Sequence, residues 1–344
     1  MSQTADKREM VVVGINTTIM FISFLALLYV NYNRSYIPLK CKNIPLLNIL
    51  YLTIFCWYLG DIYTYQPSLV YASRSICIAT MSWLRMSFGV YSVISCHIFR
   101  IYQYHCIFQW HRRANGKYLW IPIGLWLIIP LVYGIIATAL PESLGTSFVI
   151  NPEMCFAQKT AYFVALAFLL ILMACWTYAT LLMKYTDVCF NEYRELVVII
   201  VSTVFVISMQ VVLRWVSQVG DSGFAYNAMT SMTDLLIGQV SFYALIWRPA
   251  YHCLVDRDNY LALFLRTLKK ENRKSEYELA NGEELYMISF DCTGETGVFM
   301  ASSASSADSF VKVLITSDDP NDYHSATVYC EDLEKASASK PTLV

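Results

Sequence analysis

Long apolar segments are the feature that most limits how this chain can fold. A helix needs about 20 apolar residues to cross the hydrocarbon core of a bilayer. Segments of roughly that length or longer recur along the first three quarters of the chain. Each predicts a transmembrane helix, and the predicted spans run approximately over Met10–Tyr32, Ile44–Thr64, Ile76–Trp110, Tyr118–Leu140, Ala157–Met183, Leu196–Gln218 and Tyr226–Trp247.

The composition agrees with an all-α membrane protein built as a seven-helix bundle. Of 344 residues, 56% are hydrophobic and 15% are charged, whereas globular chains have about a quarter charged residues. Residues 1–9 are polar and predict a short extracellular amino terminus. The first span exceeds the roughly 7 to 15 residues of a signal-peptide core, so we expect a signal anchor that stays in the protein.

The distribution of Lys and Arg predicts the orientation. Basic side chains, among them Arg112, Arg113 and Arg194, concentrate in the segments that follow spans one, three, five and seven. Because cytoplasmic loops carry an excess of Lys and Arg, we expect the amino terminus outside and the carboxyl terminus in the cytoplasm. We expect the plasma membrane as the location, with membrane lipids as partners.

The carboxyl-terminal part of the chain has a different composition. Residues 275–344 contain 13 acidic and 3 basic side chains, which leaves 13 acidic and 22 basic in residues 1–274. Such an acidic, serine-rich tail predicts disorder. Residues 310–316 are the exception, with a strand-like apolar run, and Thr342-Leu343-Val344 fits a carboxyl-terminal peptide motif that adds a strand to a partner.

A basic amphipathic helix is predicted between the bundle and this tail. The chain is expected to turn at Arg248-Pro249, which divides a transmembrane domain (residues 10–250) from a juxtamembrane segment (residues 251–274). From Asp258 onward, apolar side chains recur at helical spacing opposite Lys and Arg, so the helix would lie on the inner leaflet. A surface helix without a membrane role is the alternative. Cys253 is a candidate for lipidation.

Of the eleven cysteines, Cys77 and Cys155 alone fall at the outer surface in this topology. Disulfides persist outside the cytosol. A bridge between these two residues would therefore tie the start of the third span to the loop between spans four and five.

Charged side chains inside the spans mark a candidate ligand site. Isolated charges in a bilayer are costly and should face one another or a wet cavity, and we expect Arg85 to pair with Asp234 or Asp61. The site would bind a small extracellular ligand, although ion pairs that only fix helix register are an equal alternative. Asn16 and Asn48 are expected to form interhelical hydrogen bonds. The candidate ligand-binding residues in the outer half are Asp61, Trp83, Arg85, Lys159, Arg214, Tyr226 and Asp234.

Enzymatic chemistry has little support in the sequence. It lacks the HExxH, Walker and GxSxG motifs, and its five histidines have no metal-binding spacing. The seventh span has no lysine that could bind retinal as a Schiff base. We therefore expect neither catalysis, nor a metal or cofactor, nor a nucleic-acid partner.

Two local motifs carry a resemblance to a known family. Arg74-Ser75-Ile76-Cys77, followed in the same span by Ser95-Cys96, and the segment from Phe190 to Leu196 are similar to the plant and fungal receptor-like regulators of G-protein signalling. The similarity covers roughly residues 10–256. It implies an outside amino terminus, seven helices and a heterotrimeric Gα partner, with the outer cysteines corresponding to Cys77 and Cys155.

The chain also departs from that family. A regulator box needs a bundle of about 120 residues, and the segment after Lys274 is too short and too acidic to form one. We therefore expect a G-protein-coupled-receptor-like protein, and the alternatives are a transporter or channel-like protein and a membrane tether for Gα. The residues expected to face the G protein are Arg100, Arg112, Arg113, Asn191, Glu192 and Arg194.

Overall fold

The structure is a computed structural model that describes residues 7–65, 74–108, 117–150, 153–185, 192–217, 223–270, 296–299, 311–316 and 323–328. These residues are mostly helical. They divide into two compact units. The first comprises the described parts of residues 1–105, 115–186 and 190–248, and the second those of residues 106–114, 187–189 and 249–344.

Helices occupy the described parts of the predicted spans. One of them, which we call the composite helix (residues 74–108), joins α4, a π-helical segment over Ile78–Tyr91, and α5 without a break. A 3-10 turn over Met183–Tyr185 follows α7. The helices are α1 Lys7–Tyr32, α2 Ile37–Lys40, α3 Ile44–Tyr65, α4 Arg74–Cys77, α5 Ser92–Phe108, α6 Lys117–Ala139, α7 Lys159–Leu182, α8 Tyr193–Ser217, α9 Gly223–Val255 and α10 Arg257–Lys270.

Several helices have the length and apolar character of membrane spans. Within the described ranges, five meet both criteria, and Leu127–Ala139 forms a shorter apolar helix. Large apolar side chains also cover outward faces: Val201 and Phe205 on α8 are 62% and 68% exposed. Because soluble monomers rarely expose large contiguous apolar surfaces, these faces suit a lipid environment. The five are Lys7–Tyr32, Ile44–Thr64, Ser75–Ile107, Lys159–Leu182 and Tyr193–Leu213.

Polar side chains fix the direction of α1 against its neighbours. The Tyr51 hydroxyl on α3 donates to the Met20 carbonyl at 3.0 Å, and Asn31 Nδ2 donates to Asn48 Oδ1 at 2.8 Å. These pairs run in opposite sequence order, so α1 and α3 are antiparallel. Asn16 Nδ2 donates to Ser231 Oγ on α9 at 3.1 Å. Both asparagines predicted to bond between helices, Asn16 and Asn48, do so.

Two glycines allow α3 and the composite helix to pack closely. A Cβ atom on Gly60 would lie 2.5 Å from the Arg85 backbone nitrogen, and one on Gly89 would lie 2.7 Å from the Trp57 Cβ. Helices approach this closely in membranes where small residues form the interface. The close approach brings the backbone of Arg85 against the turn of α3 that contains Asp61.

Five short strands accompany the helices in the described part of the chain. Thr146–Ile150 (β1) and Glu153–Ala157 (β2) form an antiparallel pair between α6 and α7. In the tail, Thr296–Phe299 (β3), Val311–Thr316 (β4) and Tyr323–Val328 (β5) form an antiparallel sheet of order β3-β4-β5. β4 coincides with the predicted strand-like run. The β-branched and aromatic residues of these short segments favour strands.

Helix α9 also differs from the prediction, because it continues through Pro249 to Val255 instead of turning at Arg248-Pro249. A proline inside a helix removes one backbone hydrogen bond and need not end the helix. The predicted amphipathic helix is present as α10, over Arg257–Lys270. Cys253, the lipidation candidate, is buried at the end of α9. Thr342, Leu343 and Val344 lie outside the described residues.

Candidate functional site

A buried ion-paired group, which we call the charge triad (Asp61, Arg85 and Asp234), joins three helices. Arg85 Nε on the composite helix donates to Asp61 Oδ1 on α3 at 2.6 Å, and Arg85 Nη2 donates to Asp234 Oδ2 on α9 at 2.6 Å. Gln210 on α8 donates its amide Nε2 to Asp234 Oδ1. All three charged residues are less than a tenth exposed. Arg85 therefore pairs with both of the carboxylates that the sequence offered as alternatives.

The π-helical segment places Arg85 among small buried residues. Thr80, Ser82, Ser87 and Gly89 are buried on the same segment, and the Ser87 hydroxyl donates to the Pro130 carbonyl on α6 at 2.6 Å. π-Helical turns are rare and recur at functional sites. The small side chains leave room for the guanidinium to reach α3 and α9.

A cavity of about 130 Å³ adjoins the triad, and we call it the triad cavity. Arg85 and Asp234 form its charged part, and Gln210 adds a polar side chain. It lies between the composite helix, α6, α7, α8 and α9. An engineered cavity of about 150 Å³ accommodates benzene, so the triad cavity has room for a compact organic ligand. The aromatic side chains on its walls are Trp57, Tyr133, Tyr162 and Tyr226.

The structure brings some predicted ligand residues together and separates others. Arg85, Asp234 and Tyr226 line the cavity, and Asp61 is bound to Arg85 behind it. Trp83 points elsewhere, because its Nε1 donates to Thr138 Oγ1 on α6 at 2.9 Å.

Two other predicted ligand residues do not contribute to the described walls of the cavity. Lys159 is exposed at the first turn of α7 and is not part of the lining. Arg214 belongs to α8, but its side chain lies outside the described residues. The side chains that meet at the triad are buried on facing helices. The sequence indicates only how deep each residue lies in its span.

The predicted disulfide closes one end of the bundle. Cys77 and Cys155 are bonded, with their Cα atoms 5.4 Å apart. The bond holds β2 to the start of the composite helix, and β1 lies beside it with Thr146 3.4 Å from the Ser82 hydroxyl. Thr146 and Ser82 both line the triad cavity. The hairpin therefore forms part of the cavity wall, and we call this the disulfide end.

A second buried ionic group, the Glu192 cluster (Lys42, Arg100 and Glu192), lies at the opposite end. Arg100 on the composite helix donates Nε to Glu192 Oε2 and Nη2 to Glu192 Oε1, the latter at 2.8 Å. Lys42, between α2 and α3, donates Nζ to Glu192 Oε1 at 2.7 Å. Arg100 Nη2 also donates to the Lys42 carbonyl at 2.7 Å. Glu192 immediately precedes α8, so the cluster connects three parts of the chain.

Electrostatics keep Glu192 ionised despite its complete burial. Burial alone would raise the pKa of this carboxyl, but the positive charges of Arg100 and Lys42 and their hydrogen bonds outweigh it. The result is a pKa of about 2 for Glu192, against 4.5 for an ordinary glutamate. A carboxylate held in this way contributes to stability at neutral pH.

Arg100 and Glu192 were both expected to face a G protein. Instead, Glu192 is fully buried and Arg100 is 2% exposed, since each neutralises the other inside the protein. Arg194, two residues farther on, is exposed. Arg112, Arg113 and Asn191 lie outside the described residues. Among the described members of this group, Arg194 is therefore the one available to a partner.

One further buried polar group lies between the two ionic groups. The His97 ring stacks on Trp176 of α7, with centroids 4.8 Å apart and planes 8° from parallel. Within the described part of the chain, neither ring nitrogen of His97 nor the Trp176 Nε1 has a hydrogen-bond partner. Sequence reasoning missed this pair, because a histidine and a tryptophan on separate spans carry no spacing signal.

No protein-family model matches this chain, and no curated protein matches it. The resemblance to receptor-like regulators of G-protein signalling consequently stays a prediction from the local motifs.

Proposed function

We propose that this protein is a seven-span, G-protein-coupled-receptor-like membrane protein of the plasma membrane. In this proposal the triad cavity takes a small extracellular ligand, and the Glu192 end signals to a heterotrimeric Gα subunit in the cytoplasm. The excess of Lys and Arg in alternate loops supports this orientation. The bond between Cys77 and Cys155 supports it as well, because disulfides persist outside the cytosol.

The observation that carries the proposal is the position of two arginines on one helix. Arg85 is the centre of the charge triad, and Arg100, 15 residues later on the composite helix, is the centre of the Glu192 cluster. At 1.5 Å per residue, roughly 20 Å separate them along the helix axis. A ligand that changes the pairing of Arg85 would therefore act on the same rigid element that holds Glu192.

The Glu192 cluster supports a switching role for that helix. It ties the composite helix to the start of α8 through the buried charges of Arg100 and Glu192, and to the loop before α3 through the partly exposed Lys42. A ligand shifts such an equilibrium only if it binds the two states with different affinity. The charge triad offers such a difference in affinity between the two states, because its ion pairs border the cavity directly.

Nucleotide exchange tests the proposal. The full chain in nanodiscs is mixed with a heterotrimeric G protein, and binding of a non-hydrolysable GTP analogue is followed over time. We expect the protein to accelerate exchange, and Glu192→Gln, which releases Arg100, to change the basal rate. Glu142→Gln removes a charge from an exposed residue at the disulfide end and is the matched control.

The outcomes separate the proposal from its alternatives. Binding of Gα without any effect on exchange would support a tether instead of a receptor. Solute uptake into liposomes that requires Asp234 would support a transporter. Either result, in the absence of accelerated exchange across a panel of Gα subunits, overturns the receptor proposal.

A further inference from the structure

The charge triad contains two carboxyl groups and one guanidinium. Asp61 and Asp234 are both buried and share one guanidinium, that of Arg85. Among the described side chains that line the cavity, Arg85 and Asp234 are the charged ones, and the Gln210 amide that contacts Asp234 is neutral. With both carboxylates ionised, the triad carries one excess negative charge. A buried charge in a membrane-spanning bundle is costly unless it is paired.

The walls of the cavity favour a counter-charge that is organic. Four aromatic side chains line it, and the faces of Tyr and Trp rings attract cations within about 6 Å. The remaining lining is mainly apolar, with residues such as Leu169 and Ile237. A hydrated metal ion or a large polar ligand fits such walls poorly, whereas an alkylated ammonium group fits both the rings and the carboxylate.

One buried donor beside the cavity has no partner among the described residues. Trp57 is 7% exposed and lines the cavity, and its indole Nε1 makes no hydrogen bond within the described residues. A buried indole N–H usually has an acceptor. A ligand with a hydroxyl, ether or carbonyl oxygen would supply one.

We propose that the triad cavity binds a compact organic ammonium ion that carries a hydrogen-bond acceptor. The ammonium group lies against Asp234 and the aromatic rings, and the acceptor faces Trp57 Nε1. A cavity of about 130 Å³ limits the ligand to a compact molecule, because an engineered cavity of about 150 Å³ holds benzene. This inference rests on the proposed function and names the ligand class of the same site.

Choline and its neutral isostere 3,3-dimethyl-1-butanol form a matched pair of probes, because they differ in charge and have nearly the same shape. Acetylcholine and 3,3-dimethylbutyl acetate form a second pair, with a carbonyl acceptor. Binding to the full chain in nanodiscs is measured by calorimetry and by thermal stability, with each probe at up to about 10 mM. We expect each ammonium compound to bind at least about tenfold more tightly than its isostere.

Three variants locate the binding. Asp234→Asn should weaken the ammonium probes by at least about tenfold, since it removes the carboxylate that lines the cavity. Glu142→Gln removes an equal charge from an exposed residue and should have no effect. Trp57→Phe keeps an aromatic ring but removes Nε1, so it should weaken the binding of acetylcholine several-fold. This variant also keeps the inference testable if Asp234→Asn does not fold.

Arg214 provides the sharpest test against the proposal. It is a basic residue four residues after Gln210 on α8. If Arg214→Gln binds ammonium compounds and the natural chain does not, the excess negative charge is absent and the proposal is overturned. Equal binding of a neutral isostere, or no binding of either ammonium probe, overturns it too. Failure of the receptor proposal is recognised separately, by the absence of nucleotide exchange.

Discussion

Replacing Glu192 with glutamine is expected to destabilise the protein more than any other single removal of an acidic side chain at that end of the bundle. The substitution preserves size but leaves Arg100, which is 2% exposed, without a buried counter-charge. Breaking a buried ion pair by removing one partner costs about 3 to 5 kcal/mol. The pKa gives a similar figure: a decrease from 4.5 to about 2 corresponds to about 3 kcal/mol of stability at neutral pH.

Thermal unfolding in detergent measures this loss. A decrease of about 3 kcal/mol should lower Tm by roughly 6 to 12 °C in a bundle of this size. Lys42→Met is the matched control, because the Lys42 side chain is 18% exposed and its pair should contribute only about 1 kcal/mol. The double variant Arg100→Met with Glu192→Met should recover much of the loss, since no buried charge is then unpaired. A Glu192→Gln protein that unfolds at the natural Tm, or above that of Lys42→Met, would refute this reasoning.

Three other predictions concern stability. The folded-state pKa of Glu192 is depressed, so the contribution of its carboxylate to stability is complete above pH of about 5 and is lost as the pH falls towards about 2. Over this range, Tm should fall less in Glu192→Gln than in the natural chain. Parallel plots of Tm against pH for the two proteins would contradict this pKa for Glu192. Cys77→Ser removes a bond that spans 78 residues and should cost about 4 to 5 kcal/mol in the chain-entropy model. A variant Tm equal to that of the natural chain, both measured without reductant, would show that the bond does not form. Gly60→Ala places a methyl group 2.5 Å from the Arg85 backbone nitrogen and should lower the free energy of unfolding by about 1 to 3 kcal/mol. A variant that unfolds at the Tm of the natural chain would mean that α3 and the composite helix pack less closely.

Much of the helical framework could be predicted, because a bilayer-length apolar run carries its own signal. The bounds of α1 and α3 lie within a few residues of the predicted spans. The pairing of Cys77 with Cys155 also followed from the sequence, since the predicted topology left only these two cysteines on one side. The extension of α9 to Val255 did not, because a proline after the apolar run is typical of a helix end.

The two ionic groups show where sequence reasoning stops. Arg85 was expected to pair with Asp61 or Asp234, because charges at similar depth in a bilayer need one another. Glu192 is 92 residues from Arg100 and 150 from Lys42. Since it lies just outside a span, nothing in its local sequence distinguishes a solvent-exposed carboxylate from a buried one. Its burial is a tertiary property, set by how α8 begins against the composite helix.

Thiol labelling on intact cells tests most directly whether the triad cavity and the Glu192 cluster lie on opposite sides of a membrane. Single cysteines replace Glu142, exposed at the disulfide end, and Arg194, exposed beside Glu192. The natural chain gives the background from its own cysteines. With a membrane-impermeant maleimide, we expect Glu142→Cys to be labelled on intact cells and Arg194→Cys only after permeabilisation. Labelling of both sites on intact cells, or the reverse order, would contradict a receptor that senses outside and signals inside.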